Sequence, residues 1–313
     1  MRIFLAGATG AVGRRLLPVL VGAGHQVVGT TRSSQRARPL QAVGAEAVVL
    51  DVLDREAVLA SVTAAKPDVV IHQATALAGF ASLRKFDDYF TQTNRLRTDG
   101  TDHLLAAARI AGARRFIAQS YTGWPNSRTG SAVKTEEDPL DRQPTATSRR
   151  SLAAITYLES AVTSADGIEG VVVRYGSLYG PGTALGINGD MVEMVRRRRF
   201  PIVGGGAGVW SHVHIDDAAT ATMLAVEVGV PGTYNIVDDE PAPITDWLPE
   251  LARAIGAEPP RHVPAWLARP LLGEQGIAMM TAIRGSSNAK AKRELGWKLI
   301  YPSWRQGFRT GLG

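Results

Sequence analysis

The 313-residue chain contains no cysteine. That excludes a disulfide framework, a thiolate nucleophile and a cysteine zinc site, and it suits a reducing cytoplasm, the expected location. No apolar run approaches the about twenty residues of a membrane span, so no membrane partner is expected. No leader is expected either, because the first residues already read as a strand. Aromatic residues make up only 6%. No basic stripe is interleaved with them, as a single-strand nucleic-acid binder requires. The formal net charge is +6 with a pI near 9.8, yet 29 acidic side chains are scattered among 35 basic ones. The dense basic clusters are few: Arg32 to Arg38, Arg114-Arg115, Arg149-Arg150 and Arg196 to Arg199. Such a balance bears on solubility and weak association, and no nucleic-acid partner is expected. Metal ligands are missing as well. Neither His212 nor His214 has a carboxylate and histidine set around it at ligand spacing.

What is present begins at residue 2. Arg2-Ile3-Phe4-Leu5-Ala6 is a short, mostly apolar run that reads as a buried strand. Gly7-Ala8-Thr9-Gly10-Ala11-Val12-Gly13 follows, and a helix-like pattern starts at Arg14. Strand, glycine turn and helix is the context of a dinucleotide fingerprint. Gly7 allows the tight turn, Gly10 lets backbone approach a pyrophosphate, and Gly13 lets helix lie close to strand. Amides at the helix N-terminus then point at the phosphates.

Further strand-like runs are Gln26 to Thr30, Glu46 to Leu50, Asp68 to His72, Arg115 to Gln119 and Gly170 to Arg174, with helical patterns between them. This alternation predicts an α/β fold: a doubly wound parallel sheet of Rossmann type, with the ligand at the strand ends. After Arg174 the regularity weakens and loops rich in glycine and proline appear. The expected division is a dinucleotide-binding domain over 1–175, to which 212–238 returns. A smaller, mainly helical substrate lobe takes 176–211 and 239–313. Tyr234-Asn235-Ile236-Val237 is the strand that returns to the main sheet.

Other motifs fall in a telling order. They are Leu50-Asp51-Val52, Asn94 ahead of Gly100-Thr101 and Leu104 to Ala108, Arg174 to Gly182, His212 to Ala219, Tyr234-Asn235-Ile236 and Ala289 to Trp297. With the glycine turn, they make the chain resemble the extended short-chain dehydrogenase/reductases, also called NAD-dependent epimerase/dehydratases, along nearly all its length. The resemblance implies the fold, a nicotinamide cofactor and a homodimer. Members pair through the two helices after the fourth and fifth strands, here the stretches around Leu104 and Leu158.

An NAD site usually ends its second strand on an acidic residue. Here the stretch is Thr30-Thr31-Arg32-Ser33-Ser34, without a carboxylate. Arg32, with its planar donors, suits a 2′-phosphate, and Ser33, Arg36 and Arg38 assist, which favours NADP over NAD. By the resemblance, Thr9, Gly10, Ala11 and Val12 sit at the pyrophosphate. Asp51 meets the adenine edge with Val52 behind it, Ala74 and Thr75 run along the ribose, and Asn94 supports that backbone. Tyr175, Gly176 and Leu178 belong to the same cofactor set. Read without it, Asp51 is an ordinary turn aspartate and Asn94 an ordinary helix cap.

The family's Tyr-x-x-x-Lys pair is missing. Leu152, Ile155, Leu158 and Val162 mark a helix over Ser148 to Val162. If Glu159 is the glutamate that follows the family's lysine by one turn, Ile155 stands at the lysine position and Ser151 at the tyrosine position. Tyr157, on the same helix, reads as packing. A replacement is offered by Ser120, Tyr121 and Thr122 at the end of the fifth strand. Tyr121 occupies the place of the family's catalytic serine or threonine, either as proton donor or as an aromatic pocket wall. Trp210 stands where sugar-nucleotide enzymes of the family hold a diphosphate with arginine. A tryptophan offers apolar area and one donor. Trp124, Trp210 and Arg284 are thus the substrate-side candidates, for a small and largely apolar carbonyl or enone. The expected activity is NADP-dependent hydride transfer to or from such a substrate. An epimerase or isomerase with retained cofactor, and a non-catalytic NADP-binding sensor or scaffold, are the alternatives.

Overall fold

In the computed structural model, residues 1–77 and 83–313 are described. Seven strands form one parallel sheet: β1 (Arg2–Ala6), β2 (Gln26–Thr31), β3 (Glu46–Val49), β4 (Val69–His72), β5 (Arg115–Tyr121), β6 (Glu169–Tyr175) and β7 (Gly232–Ile236). Their order across the sheet is β7-β6-β5-β4-β1-β2-β3. The chain thus winds outward from β1 to β3, crosses back to β4 beside β1, and winds the other way. The point of reversal lies between β1 and β4, where ligands bind in such sheets.

Both faces are covered, which is why the strands read as continuous apolar runs. Side chains alternate along each strand. Ile3, Leu5, Val69, Ile71 and Ile117 face a core with the helices Ala11–Gly22 and Ile215–Glu227. Phe4, Val70, Phe116, Ala118 and Val172 face the opposite core, with the helices Arg55–Ala65, Thr101–Ile110 and Arg149–Thr163. β7 pairs with β6 in parallel, Asn235 opposite Arg174. The helix Ile215–Glu227 packs on the sheet within the first of these cores.

A third core holds the remaining lobe together around Tyr179, Trp247, Trp304 and Phe308. This lobe is not only helical. Short strand pairs join Ile202–Val203 to His262–Val263 and Val209–Trp210 to Ala242–Pro243. Buried aromatics and these paired backbones replace the long periodic runs of the other half.

The helices Thr101–Ile110 and Arg149–Thr163 lie side by side on the sheet. Leu104 and Leu158 point inward and are buried. The outward positions include Asp102, Arg109, Thr156, Tyr157 and Ser160, with Ile110 the large exposed aliphatic side chain. That face is more polar than the sequence pattern suggested.

Candidate active site

The turn after β1 is shaped by what its glycines touch. Gly7 has φ +87, and a Cβ there would lie 2.7 Å from the Gln73 backbone carbon at the end of β4. Gly13 is tighter still: a Cβ would sit 2.2 Å from the Gly7 carbonyl oxygen, so helix and turn meet backbone to backbone. The Gly7 amide donates to Thr30 Oγ1 at 3.0 Å, and the Gly10 amide to the Gly7 carbonyl at 2.9 Å. No side chain caps the helix that starts at Ala11. Its first amides are left for a ligand.

These residues open onto a cleft of about 940 Å³. Gly7, Thr9, Gly10, Ala11 and Val12 line one part, Arg32 and Ser33 a second, Asp51 and Val52 a third, and Ala74, Thr75 and Leu178 the rest. Arg32 is exposed, as are Arg14 and Arg36, which line the cleft too. None of these three has an ion-pair partner among the described residues. No carboxylate stands at the end of β2 to take a ribose hydroxyl.

Four residues expected at the cofactor lie behind the cleft lining. Gly13 acts through packing, as above. Tyr175 is 2% exposed. Its Oη accepts from Gln73 Nε2 at 2.8 Å and meets Thr222 Oγ1 at 2.6 Å, and burial pushes the phenol up to about 12. Gly176 leaves room for the Ser211 carbonyl, which a Cβ would approach to 2.6 Å. Asn94 points at the helix Arg149–Thr163: its Nδ2 donates to Ser151 Oγ at 3.1 Å, and its Oδ1 accepts from Arg97 at 3.2 Å. Gln92, Leu96 and Gln119 do line the cleft and were missed. Gln92 and Leu96 flank Asn94, and only the helical turn there brings them, and not Asn94, to the cleft. Gln119 was legible as the strand neighbour of Tyr121 two residues on.

The end of β5 divides by the same alternation. Ser120 turns away from the cleft and donates to Glu159 Oε1 at 2.7 Å, within a buried ion pair of Glu159 and Arg174 closed at 2.6 Å. Thr122 is buried too, bonded to Asn126 and Ser286. Both are corrections to the expected trio, since these hydroxyls are spent inside the protein. Tyr121 is half-buried and does not line the cleft, and its Oη lies 3.0 Å from Ser177 Oγ, the residue before the cleft-lining Leu178. Burial raises its pKa, so at neutral pH it holds its proton.

The helix Arg149–Thr163 brings Ser151, Ile155 and Glu159 onto one stripe. Ser151 is fully buried, and its Oγ donates to Asp87 Oδ1 at 2.6 Å. Asp87 also accepts from the backbone amides of Arg150 and Ser151, at 2.9 and 2.8 Å, which satisfies the helix N-terminus. Ile155 lies in the apolar core. Tyr157 is 43% exposed and donates to Asp102, so it ties two helices together at the surface.

The substrate-side candidates sit elsewhere than expected. Trp210 is 5% exposed, donates from Nε1 to the Met279 carbonyl at 3.0 Å and packs on Trp247. It is a core residue. Trp124 is buried edge-on against Phe86. Arg284 donates to the Arg128 carbonyl at 3.0 Å, beside a bridge of Arg128 to Asp141. None of the three lines the cleft. Among the described residues there is no group of three or more His, Cys, Asp or Glu that could hold a metal, and no helix long and apolar enough to cross a membrane.

The model of the NAD dependent epimerase/dehydratase family matches residues 3–237. The chain belongs to that family. The 3-diazoavenalumate denitrifying reductase of Streptomyces sp is 45% identical over 310 residues, 98% of this chain and 99% of that protein. The 2-alkyl-3-oxoalkanoate reductase of Stenotrophomonas maltophilia is 30% identical over 267 residues, 82% and 76% of the two chains. Among solved structures, the UDP-glucose 4-epimerase of Thermotoga maritima with UDP-glucose aligns at a TM-score of 0.76 and 22% identity, over 100% of this chain and 97% of that one. The protein is an enzyme of this extended short-chain dehydrogenase/reductase type, with oxidoreductase relatives and a nicotinamide cofactor.

The cleft fits that cofactor on its own geometry. A Cβ at Gly10 would meet only the Gly7 carbonyl, at 3.2 Å, so its other side is free for a pyrophosphate. The unpaired Arg32 and Arg36 line the same cleft just beyond the end of β2. On the helix Arg149–Thr163, Ser151 is bonded to Asp87 and Ile155 is buried.

Proposed function

We propose that this protein is an NADP-dependent reductase whose substrate is a small arenediazonium. One observation carries the reading: the Ser151 hydroxyl is bound to Asp87 and Ile155 is buried and apolar, so the helix Arg149–Thr163 offers the cleft neither an acid nor a cation. A carbonyl reduction needs a proton at oxygen, which the family's tyrosine supplies. A diazonium needs none. When bound, NADPH supplies a hydride from C4 of its nicotinamide. Replacing N2 by that hydride breaks one C–N bond, forms one C–H bond and releases N2, with two electrons drawn from the cofactor and no proton required. An isoleucine in place of lysine also removes a positive charge that would repel a cationic substrate. The 45% identical relative is named as a denitrifying reductase of a diazo compound. Arg32, Ser33 and Arg36 would hold the 2′-phosphate, and the amides after Gly10 the pyrophosphate. Gln119 and the Tyr121–Ser177 hydroxyl pair would border the reacting carbon.

The second reading is a carbonyl or enone reductase with Tyr121 as proton donor. It is favoured by the protonated phenol at the end of β5 and by the 30% identical oxoalkanoate reductase. Tyr121→Phe separates the two. With NADPH and a benzenediazonium carboxylate, oxidation of NADPH should be matched by N2 release, and the variant should keep at least a third of the rate. With a panel of ketones, a carbonyl reductase would lose about a hundredfold or more. Turnover of neither class would sink both readings. For assembly we propose a C2 homodimer through the helices Thr101–Ile110 and Arg149–Thr163. Light scattering at micromolar concentration should give about twice 33.4 kDa, and a clean monomer mass would reject it.

A further inference from the structure

Five of the six tryptophans are at most 7% exposed, and the sixth, Trp266, is 75% exposed. It opens the helix Ala265–Thr281, whose first half is turned outward. Leu267 is 54% and Leu271 80% exposed, Pro270 is exposed, and of residues 266–271 only Ala268 is buried. Trp266 and Pro270, and Leu267 and Leu271, stand one turn apart. Single exposed leucines are ordinary, but four apolar side chains on fewer than two turns make a contiguous ridge.

The ridge is held firmly. The helix bends at Gly273, φ 67, where a Cβ would lie 3.1 Å from Arg84 Cα. At Gly276 a Cβ would lie 3.3 Å from Leu83 Cβ. Leu83 and Arg84 are close in sequence to the cleft-lining Leu77 and Gln92. Around the ridge are Arg84, Lys85, Arg261 and Arg269, all exposed, against the single exposed acid Glu274 on the helix. The ion pairs nearby join Arg150 to Asp87 and Asp88, and Arg198 to Glu258. The four cations have no carboxylate partner among the described residues.

We propose that this ridge anchors the protein to an anionic lipid surface. The apolar part is a convex helix, which a soft planar boundary accepts without a complementary groove. Indole, with an apolar body and one polar tip, suits the headgroup boundary, and flanking arginines are drawn to anionic lipids. A second copy of the chain fits less well, because an isologous contact would set two rings of cations against each other. Attachment is peripheral and reversible, from one short ridge.

The full chain is mixed with vesicles of phosphatidylglycerol and phosphatidylcholine, and separately with phosphatidylcholine alone. Sedimentation with the anionic vesicles is expected, and rising salt should weaken it. Trp emission should shift to the blue, a shift assignable to Trp266 because the other five indoles are already buried. Trp266→Ser with Leu271→Ser should lower partitioning at least tenfold, and Arg84→Gln with Arg269→Gln should remove the preference for anionic lipid. All four side chains are exposed, so melting temperature and NADPH affinity serve as folding controls and should hold. Failure of wild type to sediment would overturn the proposal. So would equal sedimentation of the Trp266/Leu271 variant, equal binding to phosphatidylcholine alone, or a wild-type dimer that this variant splits, since the ridge would then face a second copy.

Discussion

The turn that lines the cleft and the buried stripe of the helix Arg149–Thr163 are made of different material. The wall after β1 is backbone: a turn at Gly7, an open Gly10, a helix end without a side-chain cap, and a Gly13 that admits the Gly7 carbonyl. The stripe on the helix Arg149–Thr163, which does not line the cleft, is side chain: Ser151, Ile155 and Glu159, held by Asp87, Asn94 and Arg174. Chemistry supplied by amides persists so long as glycine stays where it is required. Chemistry supplied by side chains can be exchanged while the helix keeps its place. In this enzyme the turn keeps the open backbone a dinucleotide site needs, and the helix stripe is bonded inside the protein.

The strongest test of that contrast is Glu159→Gln. Glu159 and Arg174 are both under 10% exposed and joined by two hydrogen bonds, with Ser120 donating to the same carboxylate. Removing one charge leaves the other buried and unpaired, at a cost of about 3–5 kcal/mol. Urea unfolding should read this as a lower midpoint at unchanged slope. A loss under about 1 kcal/mol would mean that the stripe is not structural.

Acid should weaken the fold at two buried histidines. His72, at the end of β4, donates from Nε2 to the Leu96 carbonyl at 2.9 Å, and burial holds its pKa down at about 4. His212, sealed among aromatic rings, is held down to about 3 by burial. The unfolded chain takes up these protons near pH 6.5, before the folded one does. Stability from the neutral rings is therefore full above about 6.5 and is lost as pH falls toward 4, at up to about 1.4 kcal/mol per unit for each histidine. Denaturant midpoints at pH 7, 5.5 and 4.5 should fall in that order, and a flat profile would contradict the burial of both rings.

Arg32→Ala probes the glycine wall's side-chain supplement. A charge-assisted bond to the 2′-phosphate contributes roughly 1.5–3 kcal/mol. NADPH affinity should drop by about one to two decades, with NADH nearly unchanged. Equal losses would remove the argument for NADP. The smallest effect is expected from Ser151→Ala. If Ser151 only ties Asn94 to Asp87, turnover stays within about threefold. A drop beyond a hundredfold would give the helix stripe a catalytic role.

The backbone wall was legible in sequence because glycines at fixed spacing between a strand and a helix have one structural use. Arg32 was legible as the residue that replaced an expected carboxylate. The loss of Tyr-x-x-x-Lys was legible too, through the spacing to Glu159. What took the place of that pair was not. Asp87 comes from a segment without a motif, and it meets Ser151, 64 residues on, only when its short helix packs against the helix Arg149–Thr163. Ser120 and Tyr121 look equivalent as neighbours in a string, yet the pleat sends one to Glu159 and the other to Ser177.

The sequence by itself determined the doubly wound sheet, the phosphate turn and the absence of the usual catalytic pair. These follow from local rules: strand and helix periodicity, the steric freedom of glycine, and residue identity at a known offset. The tertiary structure alone decided which partners the hydroxyls of Ser120, Tyr121 and Thr122 take, that Trp210 is core while Trp266 is bare, and that Asp87 closes the helix end. Those outcomes depend on which surfaces meet across long stretches of chain, and burial and hydrogen-bond pairing are properties of the meeting, not of either partner alone.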